Sequence, residues 1–285
     1  MASEATLAML NQDHTYLYLD GTFKVAPQHF CQLWIICGHV LESTEATPLA
    51  YFLLEDKSTP SYSKCLEILV RNCPRLSVDT VVCDFEVAEH NATKTHLPGA
   101  DIQGCLFHFK QALRKRFIKL TEFHKDPALK AELQTLYGLA FVPEADVPAA
   151  WEVLKGRVTH PSAAPVLQYF EETWIKSSTF PINMWNVYDA VLTGGPRTNN
   201  YSEGNNNSLS RAIGCSNPSG ELLAKGLTKF NETAELHIEH CLTGVSTTTK
   251  KRKVYKENDE RIRRAVDNYG RVGVAMFCRS LSRLV

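Results

Sequence analysis

Short apolar runs and polar connections alternate over the first 105 residues of the chain. The runs span residues 15–20, 33–37, 48–54, 78–84 and 101–105, and they are rich in aromatic and β-branched side chains, which favours strands. Between the third and fourth runs, residues 61–71 carry apolar positions at helical spacing, with Ser61 as a candidate cap. Short links between the first three strands predict an antiparallel meander. The helix before the fourth strand predicts a parallel crossover, so the fourth strand is expected in the middle of a mixed α/β sheet.

The pattern changes after the fifth strand. A basic helix follows it, and residues 125–192 show mostly helical spacing interrupted by prolines. We therefore predict a sheet domain formed by residues 12–124 and 193–245. Residues 125–192 are expected to form a helical insertion, and residues 246–285 a basic, helical tail.

Two of the predicted strands end on an acid, Asp20 and Asp84. An acid at the end of a buried strand is costly unless hydrogen bonds, a cation or a metal compensate it. The alternative for Asp20-Gly21 is an ordinary turn. If the two strands are neighbours, the like charges crowd each other, and cations between them become favourable.

A third acid, Glu203, lies within an asparagine-rich run over residues 199–207. On a helix, Asn199, Glu203 and Asn207 would share one face. Because asparagine is a mediocre helix former, the pattern suggests a polar network. A solvated loop is the alternative.

Two further features invite a chemical interpretation. Cys105 and His108 have zinc-ligand spacing, but a closed zinc site needs four ligands, and a core cysteine with a polar histidine at a helix start is the alternative. Trp185 precedes the asparagine run; it is either a core residue or a platform for a displaced base.

Composition adds limits. The net charge is zero, with 44% hydrophobic and 22% charged residues, which argues against a uniformly basic coat but leaves room for local basic stripes. Two stretches are basic, residues 110–125 and 250–264; each is either a phosphate-binding surface or a solvated helix face, and the second is also a candidate nuclear address.

Nine scattered cysteines without a CxxC pair predict reduced thiols in the cytosol or nucleus. No apolar run approaches the roughly 18 residues of a membrane span, and we expect no secretory signal.

Taken together, Asp20-Gly-Thr-Phe23, Cys83-Asp84, Cys105-x-x-His108 and Asn199-Asn200-x-x-Glu203-x-x-Asn206 resemble the transposase domain of Mutator-like elements (MULEs). The resemblance extends from about residue 14 to residue 212. It implies a ribonuclease-H-like fold with a DDE acid triad of Asp20, Asp84 and Glu203, in which the helical insertion precedes the third acid.

The resemblance also implies an activity and its location. The triad would hold two Mg²⁺ or Mn²⁺ ions for DNA strand cleavage and strand transfer, acting in the nucleus on transposon ends and target DNA, with a homo-oligomer as a possible assembly. In similar families the Cys-x-x-His motif lies beside the acid site.

The chain also departs from the family pattern, because it shows neither an amino-terminal nor a carboxy-terminal zinc module. We therefore keep two alternatives open: a host-adopted, catalytically silent protein that binds DNA or protein, and a ribonuclease-H-like nuclease that acts on another nucleic acid.

Overall fold

The computed structural model describes residues 1–41, 43–245 and 253–285. The strands are β1 Asp13–Thr22, β2 Gln32–His39, β3 Ala46–Leu54, β4 Ser77–Cys83 and β5 Asp101–Gly104. The helices are α1 Glu4–Leu10, α2 Thr59–Asn72, α3 Val87–His96, α4 Leu106–Phe117, α5 Pro127–Gln134, α6 Val147–Lys155, α7 Ala164–Phe170, α8 Ile182–Trp185, α9 Tyr188–Thr193, α10 Asn200–Ile213, α11 Gly220–Leu242, α12 Lys253–Asp267 and α13 Val274–Ser282. None of the helices in the described ranges is long and apolar enough to cross a membrane.

The five strands form one mixed sheet in the order β3-β2-β1-β4-β5. β2 pairs antiparallel with both β1 and β3, whereas β4 pairs with β1 in parallel. Helix α2 makes the crossover that a parallel pairing requires. The predicted five-stranded α/β sheet, with its meander and its parallel fourth strand, is confirmed.

The Asp20-Gly21 pair is not a turn, because β1 continues to Thr22 and Gly21 lies opposite Trp34 of β2. A Cβ atom at position 21 would lie 2.2 Å from Oε1 of Gln32. That amide is buried and donates to the Tyr62 hydroxyl at 2.5 Å, so it cannot readily move aside. Glycine is present here because a neighbouring side chain occupies the space of a Cβ.

The cap of α2 also differs from the prediction. Ser58, rather than Ser61, is the N-cap, and its hydroxyl accepts from the backbone N–H of Ser61. Asp56 anchors both hydroxyls at 2.6 Å, an arrangement that satisfies the first turn of the helix.

The chain forms two compact units, which we call unit 1 and unit 2. Unit 1 comprises Met1–Gln103 and Asn199–Lys250; unit 2 comprises Gly104–Thr198 and Lys251–Val285. These borders differ from the predicted ones, because α12 and α13 pack with the middle helices instead of forming a separate tail. Residues 246–252, including the first three positions of the candidate nuclear address at residues 250–264, lie outside the described residues.

In unit 1 both faces of the sheet are covered. One face presents Leu17, Leu19 and Trp34 to a core that includes side chains of α2 and α3. The other presents Tyr18, Ile35 and Val82 to Leu209 and Ile213 of α10 and to apolar residues of α11. Because side chains alternate along a strand, Asp20 lies on the same face as Tyr18, the α10 face.

In unit 2 the core is aromatic. Trp185 stacks on Phe109 with ring centroids 5.0 Å apart, and Trp174 packs edge-on against the same ring at 4.9 Å. Trp151 stacks on Phe170 at 4.8 Å. Such offset and edge-to-face pairs add to the free energy gained from burying these large side chains.

A glycine brings the carboxy-terminal helix close to this core. A Cβ atom at Gly138 would lie 2.4 Å from both Cα and O of Cys278 in α13. The contact is with backbone, so no side-chain rotation relieves it.

We expect Gly138→Ala to lower the free energy of unfolding of unit 2 by about 1–3 kcal/mol, because α13 must shift to make room. Denaturant unfolding followed by tryptophan fluorescence measures this, since Trp151, Trp174 and Trp185 all lie in unit 2. Gly156→Ala is the control: its Cβ would meet nothing closer than 3.5 Å, and φ is −69°. A Gly138→Ala protein as stable as Gly156→Ala would refute the close approach.

Candidate active site

Asp20 is a buried carboxylate near the end of β1, with 9% of its surface exposed. Its Oδ2 accepts a hydrogen bond of 2.5 Å from Nδ2 of Asn206. The cost of burying this acid is therefore offset in part by an amide donor from a distant part of the sequence.

Asp84 directly follows β4 and is half-buried. In the parallel pairing of β1 and β4, Tyr18 lies opposite Val82. If this register continued past the end of β4, Asp20 and Asp84 would come to the same level. Adjacent strands lie about 4.8 Å apart, and both residues continue the face of Tyr18 and Val82. The sequence analysis expected the two acids to crowd each other if the strands that lead to them are neighbours, and β1 and β4 are neighbours.

Glu203 lies in the first turn of α10, the helix that covers this face of the sheet. The solvated-loop alternative is wrong: the asparagine run forms a helix, and three of its amides bind the sheet. Asn199, the N-cap, is fully buried and donates to the backbone oxygen of Leu19 at 2.8 Å. Asn205 donates to the backbone oxygen of Ala46 at 3.1 Å, and Asn206 donates to Asp20.

These contacts orient Glu203. At about 100° per residue, Asn199, Glu203 and Asn206 share one side of the helix, whereas Asn205 lies about 160° from Glu203. Asn205 faces β2 and β3, since it also approaches Cys37 Sγ at 3.6 Å. Glu203 therefore lies on the same side of α10 as Asn206, the residue that contacts Asp20.

Two predicted asparagine roles change. Helical spacing pointed to Asn207 and the family resemblance to Asn206; in the structure Asn206 contacts Asp20, whereas Asn207 is exposed. Asn200 is exposed as well, at the first helical position. The network was predicted from composition, but its members depend on where the helix begins.

Cys105, His108 and Trp185 belong to unit 2. Cys105 is buried at the N-cap of α4, and its Sγ lies within 4.8 Å of a ring nitrogen of His108 in the first turn. The pair supplies two of the four ligands of a closed zinc site. Trp185 is fully buried, and its indole N–H donates to the backbone oxygen of Trp174 at 3.0 Å, which matches the core interpretation.

Sequence reasoning missed a fourth carboxyl group, Glu89 of α3. It is 3% exposed, and Oε1 accepts from the indole Nε1 of Trp34 at 2.6 Å. Burial, with a smaller contribution from the charges of Asp84, Glu86 and Asp20, raises the pKa of Glu89 to about 8 against the opposing effect of the indole hydrogen bond. The group is thus neutral in the folded protein at neutral pH. Its only sequence signal is its position five residues after Asp84.

Beside Glu89 lies a connected polar chain. The Tyr62 hydroxyl accepts a hydrogen bond from the Gln32 amide and donates one to Glu86 at 2.8 Å. Glu86 in turn forms an ion pair with Lys57 at 2.5 Å. Lys57 also lies 4.8 Å from the ring centroid of exposed Phe23. These contacts connect Phe23, which follows Asp20, to Glu86, which follows Asp84.

Comparison with known families agrees with this geometry. Residues 16–112 match the family model of the MULE transposase domain. The matched residues are about a third of the chain, and the match supports the resemblance seen in the motifs. The match includes Asp20, Asp84, Cys105 and His108 and ends before Glu203. No curated protein matches the chain.

We expect Asn199→Ala to lower the free energy of unfolding by about 1–3 kcal/mol, because it leaves the buried backbone oxygen of Leu19 without this donor. Asn207→Ala is the matched control, an exposed asparagine of the same helix, and is expected to be neutral or slightly stabilising. Chemical denaturation measures both. Equal effects of the two substitutions would contradict the anchoring role of Asn199.

We expect the stability of the metal-free protein to depend on pH through Glu89. Its folded pKa of about 8 exceeds the unfolded value of about 4.3, so the folded state binds the proton more tightly and the free energy of unfolding falls as pH rises between these values. Glu89→Gln removes this dependence. The free energy of unfolding of the variant minus that of wild type should therefore increase as pH rises to 8, by at most about 5 kcal/mol.

Denaturant titrations in EDTA at pH 5 to 8 test this expectation. Glu67→Gln, an exposed glutamate of α2, is the control and should follow wild type. A wild-type to Glu89→Gln difference that is constant over this range would mean that Glu89 is already ionised in the folded state.

Proposed function

We propose that this protein is a DDE transposase catalytic domain with a ribonuclease-H-like core, and that it cleaves and joins DNA strands with two divalent metal ions. The observation that carries the proposal is that two neighbouring parallel strands, paired as far as Tyr18 and Val82, lead to Asp20 and Asp84. The sheet face that presents Tyr18 and Val82 is covered by α10, the helix that bears Glu203. The matched MULE transposase domain supports it, because transposase domains act on DNA.

The donor set fits Mg²⁺ or Mn²⁺. Asp20, Asp84 and Glu203 supply hard carboxylate oxygens, which these ions prefer. Asn206 donates to Oδ2 of Asp20 and so holds one of the donor carboxylates in place. When bound, such ions supply an activated nucleophile and stabilise the leaving oxygen of an in-line displacement at phosphorus.

The remaining residues orient this donor set. Asn206 fixes the rotation of the Asp20 carboxylate, while Asn199 and Asn205 hold α10, and with it Glu203, against the sheet. Glu89 contributes no negative charge while it is protonated, so the repulsion among the acids is smaller than their number suggests. The helical segment before Glu203 is, in this proposal, an insertion into the core. Action on chromosomal DNA implies a nuclear location.

We expect Asp20→Asn, Asp84→Asn and Glu203→Gln each to reduce nicking of supercoiled plasmid in Mg²⁺ or Mn²⁺ by at least about a hundredfold. That factor corresponds to about 3 kcal/mol of activation free energy. The matched controls are Asp79→Asn, an exposed acid on β4, the strand that leads to Asp84, and Glu221→Gln, an acid in the first turn of α11. Both controls should retain wild-type activity.

Nicking that is equally strong in wild type and all three variants would refute the site. A wild-type protein that binds DNA but shows no metal-dependent nicking would instead identify the silent, host-adopted alternative.

A further inference from the structure

Charge is divided unequally between the two units. Unit 2 contains 21 lysines and arginines against 13 aspartates and glutamates, a formal net charge of +8; unit 1 contains 10 against 18, a net charge of −8. The zero net charge of the whole chain therefore conceals a strong asymmetry. Unit 1, which holds the candidate acid site, repels a polyanion at long range, whereas unit 2 attracts one.

Part of the positive charge of unit 2 is concentrated on α4. The helix contains no acid, and Arg114, Lys115 and Arg116 are exposed in its last turn, with Lys119 exposed just beyond it. In the part of the chain that the structure describes, none of these four forms an ion pair with an acid. Arg116 instead lies 4.1 Å from the ring of Tyr169.

The helix dipole alone does not account for this arrangement. Basic residues are favoured in a last turn, but each contributes only about 0.3–1 kcal/mol, and the effect fades beyond that turn. Lys119 lies outside the helix, and Arg261 and Arg263 on α12 add exposed positive charge elsewhere in the same unit. The excess is thus a property of the unit as well as of one helix end.

We propose that unit 2 is the DNA-holding part of the protein, and that Arg114, Lys115 and Lys119 contact the phosphate backbone of duplex DNA. This inference rests on the proposed function, which makes DNA the substrate. Since unit 1 repels DNA, binding requires compensating contacts, and unpaired surface cations provide them by releasing counterions from the duplex. Such contacts bind DNA without selecting its sequence.

The test is DNA binding by the full chain in EDTA, where no metal-dependent chemistry occurs. Fluorescence anisotropy with a labelled 30-base-pair duplex is recorded from 50 to 200 mM KCl. Arg114→Gln/Lys115→Gln/Lys119→Gln is compared with Lys64→Gln/Arg71→Gln/Arg75→Gln, which removes three exposed positive charges from unit 1 instead. Both variants change the net charge equally, so long-range effects cancel in the comparison.

We expect the α4 variant to bind at least about tenfold more weakly at 100 mM KCl. The slope of log K against log[KCl] should become shallower by about 0.9 for each phosphate that is no longer neutralised, up to about 2.7. The unit 1 variant should bind within about twofold of wild type. Thermal unfolding checks that both variants are folded.

Equal weakening in the two variants, or unchanged binding by the α4 variant, would overturn the proposal. Binding of poly-glutamate as tightly as DNA would overturn it too, because the surface would then be one for acidic protein. Asp20→Asn should bind DNA in EDTA like wild type. If the α4 variant binds DNA like wild type and wild type nicks DNA, the proposed surface is wrong and the catalytic proposal stands. If the α4 variant binds DNA more weakly and wild type does not nick DNA, the catalytic proposal is wrong and the surface stands.

Discussion

The hydrogen bond from the Asn199 amide to the backbone oxygen of Leu19 joins residues 180 positions apart and determines where α10 lies on the sheet. Neither propensity nor a capping side chain would hold this helix, since it contains Gly204 and a run of asparagines and serines. Its stability comes from Leu209 and Ile213 in the core and from amides that find backbone acceptors. The location of Glu203, and hence the whole candidate triad, follows from those contacts.

Electrostatics sets a second constraint at the same place. The charges of Asp20, Asp84 and Glu86 all act on buried Glu89. The protein limits the repulsion in three ways: an amide donor at Asp20, a lysine at Glu86 and a retained proton at Glu89. An arrangement of this kind is unfavourable for stability alone, which is why clusters of perturbed acids are associated with functional sites.

The sequence was most informative where a pattern is local. Strand length, β-branched content and short connections predicted all five strands, and the acids at the ends of two of them marked the site. The helix α3 was missed because its apolar positions are few, and Glu89 with it, because a glutamate near other acids is typical of a solvated surface. Asn206 and Asn207 lie about 60° and 40° on either side of Glu203, so helical spacing alone does not decide between them; the contact of Asn206 with Asp20 does. The packing of α13 on residues 135–155 depends on contacts across more than 100 residues, and that of α12 on α9 on contacts across about 60 or more; no local pattern encodes either.

The interruption of unit 1 by unit 2 has a consequence for biosynthesis. The sheet face that presents Tyr18, Ile35 and Val82 is built from the first 103 residues, yet its covering side chains, Leu209 to Leu227, are translated after the whole first segment of unit 2. At roughly 5–20 residues per second, that apolar face waits on the order of ten seconds for its cover. The nascent chain therefore exposes an aggregation-prone surface on the ribosome, and a chaperone that occupies it in that interval would increase the yield of native protein.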